Sequence, residues 1–230
     1  MADIFQEVDE ALKHEKVVSF WKENGPFIIA CVVTVIVTTA VVNGYRAWDR
    51  HQNVSDTSVL LETLEEDKNL PGRLVDVSRE LRPGHRGIAL LLSAGEHLGA
   101  GNSAKAQGVY EIIVNSKENN IPRSIKGYAR LMSSRLSLEN RENRESGSAE
   151  EIIKILQPLL DDPSGAWHWH ALEQAALVHA HITGDLAKAI GYTNRITASD
   201  QAPETLIGRA AALESVYKIR KEQNNRGNAQ

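Results

Sequence analysis

Phe27 to Tyr45 is a run of 19 residues with no charge and only one strongly polar side chain, Asn43. Nothing else in the chain constrains its fold as tightly. As a helix rising 1.5 Å per residue, the run spans roughly 28 Å, close to the ~30 Å hydrocarbon core of a bilayer. Phe20 and Trp21 precede it and Tyr45 and Trp48 close it, where amphipathic rings favour headgroup depth. Asn24-Gly25-Pro26 is expected to end any preceding helix and to place Pro26 in the first turn of the membrane helix. A cleaved signal peptide is the alternative, but its n-region would be net acidic and no Ala-x-Ala site follows the run. The expectation is an uncleaved anchor over residues 26–48, with a short segment 1–25 before it. Lys13, Lys16 and Lys22 on one side against Arg46 and Arg50 on the other leave the orientation open on charge alone.

Within the run, Ala30, Thr34 and Thr38 place a small residue at every fourth position, a candidate face for close helix packing in lipid. The plainer reading is that the threonines bond back to their own helix. Cys31, the single cysteine, excludes an intramolecular disulfide framework and a multi-cysteine metal site. A net charge of −4 argues against a basic nucleic-acid binder. About 180 residues follow the run, enough for one domain with a real core.

Those residues show no period-2 alternation. Apolar positions recur at helical spacing between Gly, Pro and Asn breaks, so the fold class is all-α. Val59, Leu60 and Leu64 mark a helix running on from the membrane, and Leu74, Val77 and Leu81 mark a short one stopped by Pro83-Gly84. Beyond it, Gly101-Asn-Ser-Ala104-Lys105-Ala106-Gln-Gly108 recurs 83 residues later as Gly184-Asp-Leu-Ala187-Lys188-Ala189-Ile-Gly191. A third copy between them begins Ser148-Ala149-Glu150-Glu151-Ile152, which puts the alanines at 104, 149 and 187. Each unit reads as a helix A, a turn opened by Gly where positive φ is cheap, and a helix B beginning with small residues. Helix A is expected over 87–98, 122–138 and 167–182. Helix B is expected over 103–114, 148–160 (bent near its end by Pro158) and 186–196, and a last helix opens at Pro203 with Leu206, Ala210, Leu213 and Tyr217 on one stripe.

Ala94, Gly101, Ala106 and Tyr110, with Gly184 and Ala189 again, fall where a tetratricopeptide repeat wants small, turn and aromatic residues. The domain over 49–221 therefore resembles a TPR-like α-solenoid, although its period exceeds that repeat's and Asn140–Gly147 is a charged insertion. Residues 222–230 are set apart as a flexible tail. Together with the acidic N-terminus, Phe20-Trp21-Lys22-Glu23-Asn24-Gly25, the single span and Gly44-Tyr45-Arg46-Ala47-Trp48, the chain resembles the YfgM-like family of ancillary SecYEG translocon subunits. That resemblance implies a bacterial inner-membrane protein with a cytoplasmic N-terminus and a periplasmic domain. It also implies two partners, the SecYEG translocon and a PpiD-type periplasmic chaperone.

No residues support catalysis. Gly-x-Ser-x-Gly, Walker, His-Glu-x-x-His and dinucleotide patterns are missing, and paired acids such as Glu150-Glu151 read as solvated faces. His168 and His170 lie about 200° apart on a helix, while the pairs His168/His179 and His170/His181 share a face but sit ~16 Å apart along it, too far for one ion. The expected protein is non-enzymatic, with no metal, cofactor, nucleic acid or small-molecule substrate. Its candidate partner surface is the face lined by the A helices, with His97, Tyr128, Arg135, His170, Glu173 and His181 as groove residues. Trp167 and Trp169 join them as two large rings that either anchor a core or form a binding hot spot. An accessory or assembly subunit of another membrane complex, held mainly through its span, is the alternative function.

Overall fold

The computed structural model describes the backbone of residues 2–65, 69–139 and 146–227, and the side chains of these from 18 onward except 146–148 and 227. Among the described residues the chain is all-helical. The helices are α1 (Ala2–Leu64), α2 (Leu70–Ser78), α3 (Pro83–Gly99), α4 (Ser103–Asn115), α5 (Arg123–Glu139), α6 (Ser146–Leu160), α7 (His168–Val178), α8 (Leu186–Thr197) and α9 (Glu204–Gly227). A π-helical turn, His179–Thr183, follows α7 directly. Internal contacts divide the chain into Met1–Ser55 and Asp56–Gln230.

In the first unit, α1 is continuous through Asn24-Gly25-Pro26, where the sequence rule expects a break. Pro26 removes one backbone donor, but helix on both sides of it carries the geometry across. Asn24 Nδ2 donates to the Phe20 carbonyl at 3.2 Å, and Gly25 is buried beneath the Trp21 ring. The helix is long and apolar enough to cross a bilayer, and a signal sequence near the N-terminus meets the same test. Its apolar side chains face outward, Phe27 being 72% exposed and Val41 66%. Thr34 and Thr38 hydroxyls donate to the Ala30 and Thr34 carbonyls at 2.8 and 2.7 Å, so both are satisfied within their own helix. The small-residue face then offers shape and no free donor.

In the second unit each helix from α2 onward packs on the next, and α3 also meets α5, α5 meets α7 and α7 meets α9. Pro83 begins α3 rather than closing α2, as its fixed φ and missing N–H suit a first helical position. Gly101 and Gly184, the turn glycines of the repeat, have φ of 74° and 69°, a region that other residues enter at a cost. After them, Ala106 and Ala189 are fully buried while Ala104 and Ala187 are exposed; Ala149, which the sequence aligns with 104 and 187, is instead buried at 2% exposure, so the register of the third copy is two residues off. Leu90, Ala94, Tyr110, Ile113 and Ala129 build the core around α3–α5; Leu156, Leu172, Val178, Ile196 and Leu206 build that around α6–α9. The charged insertion Asn140–Gly147 lies outside the described residues up to 145 and merges with α6 from Ser146. α9 continues through Glu222 to Gly227, so most of the segment set apart as a tail is helical; residues 228–230 lie outside the described part.

A three-residue device recurs at the start of α3, α5 and α7 and locks the stack. It is His85-Arg86-Gly87, then Ile125-Lys126-Gly127, then Trp167-His168-Trp169. The middle residue caps the helix before it. Arg86 donates to the Ser78 and Arg79 carbonyls, Lys126 Nζ to those of Ser116 and Lys117, and His168 Nδ1–H to that of Leu159. These are the orphan acceptors at the ends of α2, α4 and α6, where a donor or a positive charge is favourable. The first residue reaches back two helices: His85 lies 3.5 Å from Asp56 near the end of α1, Ile125 packs on Gly87 of α3, and Trp167 packs on Gly127 of α5. A Cβ at Gly87 would come within 2.6 Å of Ile125 Cδ1, and one at Gly127 would collide with Trp167 Cδ1. The glycines are there to admit those side chains.

Candidate binding groove

Parallel registration of α3 and α5 leaves an apolar groove of about 600 Å³ between them. Ile88, Leu91, Leu92 and Leu98 of α3 form one wall, Ile125, Tyr128 and Met132 of α5 the other, and the Tyr110 ring of α4 forms part of the lining. Trp167 closes one end. Its indole is held by the Gly127 contact and by Nε1–H donating to the Ser124 carbonyl at 2.7 Å, and it lies 5.5 Å from the Tyr128 ring and 5.6 Å from the imidazole of His170. Three of these partners come from α5 and one from α7, so the ring is fixed before any ligand arrives, which lowers the entropy cost of binding.

Two wall residues are more exposed than a core position allows: Ile88 is 46% exposed and Leu92 37%. The signal for them lies in the sequence Ile88-Ala89-Leu90-Leu91-Leu92, which is apolar right round one turn of helix, more than burial of a single face requires. Periodicity locates the helix but does not separate the surplus from the face that is buried. Burial pushes the Tyr110 hydroxyl up to about 12, with the nearby Tyr128 adding to the shift, so Tyr110 remains a neutral phenol at physiological pH.

The sequence-derived groove residues do not share one surrounding. Tyr128 and Trp167 line the groove, and His170 backs the Trp167 ring. Trp169 does not: it turns inward, edge-on to His168 at 5.0 Å and packed against the core of α6–α9. The two tryptophans thus take one role each, groove and core. His97 is half-buried in the last turn of α3 outside the lining, and Arg135 is exposed and paired with Glu139 at 2.8 Å. Glu173 accepts two hydrogen bonds from Arg209 of α9, at 2.9 and 2.7 Å, which occupies its carboxylate. His181 is exposed on the π-turn.

That turn also changes the histidine geometry. His179 stacks on Tyr192 of α8 with ring planes 9° apart, His168 is buried as a cap, and His181 lies outside. The π-turn breaks the α-helical register on which the 11-residue pairing depended. Among the described residues no group of three side chains is placed to hold a metal ion. Burial lowers the pKa of His170 and of His179 below the ordinary imidazole value, against the opposing pull of Glu173 and Asp185 respectively.

No curated protein and no solved structure matches the chain. A family model does match, over residues 1–217, taking in both the apolar helix and the helical stack, and the chain belongs to that family of proteins of unknown function, DUF2659.

Proposed function

We propose that the protein is a non-enzymatic, membrane-anchored, TPR-like interaction module whose α3–α5 groove holds a segment of another protein. The observation that carries this reading is the groove itself: a preformed apolar trough, walled by rings of Tyr110, Tyr128 and Trp167, open to solvent on a stack of helices. Soluble surfaces seldom leave such residues uncovered without a partner, and aromatic anchors dominate interface energetics. The long apolar part of α1 serves as a single-pass anchor, which holds the groove near the bilayer and raises its effective concentration toward membrane-bound partners.

Resemblance to the YfgM-like family orients this reading: the N-terminus in the cytoplasm, the helical stack in the periplasm of a bacterial inner membrane, and the partners a SecYEG translocon and a PpiD-type chaperone. Crosslinking the full-length tagged protein in intact membranes, followed by identification of what it captures, tests the assignment. Recovery of translocon or chaperone components, lost on Leu92→Glu, is the expected result. Retrieval of some other membrane complex, unaffected by Leu92→Glu but lost on Ala30→Leu with Thr34→Leu, would instead place the main contact in the span.

A further inference from the structure

The groove is as uneven in charge as in shape. Of the described side chains that line it, Glu96 is the one carboxylate, and no Lys, Arg or His stands among them. Among the described residues nothing forms an ion pair or a hydrogen bond with the Glu96 carboxylate, whereas the acids of neighbouring surfaces are engaged, Glu173 by Arg209 and Glu139 by Arg135. Ile88, Leu92 and Glu96 follow one another at intervals of four residues, so they descend one side of α3 over ~12 Å. An apolar stripe thus ends in a carboxylate that has no counter-ion.

We infer that the occupant of the groove is an amphipathic helical segment of a partner protein that bears a Lys or Arg eight residues from an apolar anchor, the base facing Glu96. The inference rests on the groove reading above and adds the chemistry of the partner to it. A helix laid along α3 repeats the same spacing, with apolar side chains at i and i+4 against Ile88 and Leu92 and the base at i+8, or the mirror order if it runs the other way. The apolar contacts hold such a helix; the base sets its register and rejects acidic competitors.

Three dye-labelled 15-residue helical peptides, Ala- and Gln-based with Leu at i and i+4, distinguish the outcomes. They carry Lys, Gln or Glu at i+8, and each is made in both orders. Fluorescence anisotropy with the full-length protein in nanodiscs, empty nanodiscs serving as the blank, gives the affinities. The expected order is Lys above Gln above Glu for one direction, with about a fivefold step, as an exposed ion pair supplies. Glu96→Lys, a surface change that leaves the packing intact, should reverse the order so that the Glu peptide binds best. Equal binding of all three peptides, or an order unchanged in Glu96→Lys, overturns the charge rule while leaving the groove reading standing. Binding by none of them in either order overturns both. Concentration-dependent self-association that blocks the peptides and vanishes in Leu92→Glu would assign the groove to a second copy of the chain and overturn the inference.

Discussion

Along the row of helices α3, α5, α7 and α9, the two ends solve the same packing problem with opposite chemistry. At the first end Ile125 of α5 packs on Gly87 of α3 and Trp167 packs in turn on Gly127 of α5, and an apolar groove is left outside. At α7–α9 the junction carries a bidentate ion pair, Glu173 with Arg209. The first end has its energy in fixed rings and buried glycines; the second closes its surface with charge. Similar stacking therefore does not imply similar surface: the first end presents a preformed apolar trough, the second a paired charge with Val216 and Ile219 exposed further along α9.

The largest expected effect in breaking this contrast is at Trp167. Trp167→Ala removes the end wall and its packing on Gly127, and should cost about 3 kcal/mol of stability by denaturant titration, together with groove binding. Gly127→Leu should cost about 2 kcal/mol, since its side chain must occupy the place of the Trp167 ring. Gly191→Ala, in α8 with open space around the added methyl, should instead stabilise by about 0.8 kcal/mol in the same assay. If both glycine changes have the same sign, the packing role assigned to Gly127 fails.

Arg209→Ala should cost only about 0.5 kcal/mol, because that guanidinium is largely exposed, and should leave groove affinity unaltered. The smallest effect is a pH dependence. With its folded pKa depressed, His170 stabilises the fold fully above the unfolded imidazole value near 6.5, and that contribution falls away as pH drops through 6.5 toward the lower folded value. The thermal midpoint should decline between pH 7.5 and 5.5, and His170→Gln should remove part of that decline.

Helix positions were legible because apolar spacing and glycine turns act locally: α4, α6 and α8 fall within two residues of where the sequence places them, and Gly101 and Gly184 take the left-handed turn expected of them. Continuity of α1 through Pro26 was not, since a local breaker rule does not weigh the helix on both sides of it. The capping device escaped detection because Arg86, Lys126 and His168 share a task and not a letter, and their acceptors lie at the ends of other helices. For the same reason periodicity singled out Tyr128, and ring size Trp167, but neither singled out Ile88, Leu92 or Glu96 as groove residues. A groove between α3 and α5 depends on the register of one helix against another, which no single helix's spacing contains.

The central claim is that partners dock on the α3–α5 groove and not on the α9 side of the stack. A photoreactive phenylalanine analogue placed at Leu92 of the full-length protein, and separately at exposed Ala211 of α9, tests this in intact membranes. The account predicts a discrete protein adduct from position 92 that disappears in Trp167→Ala, and none from position 211. An adduct of equal yield from both positions, or from 211 alone, would contradict it.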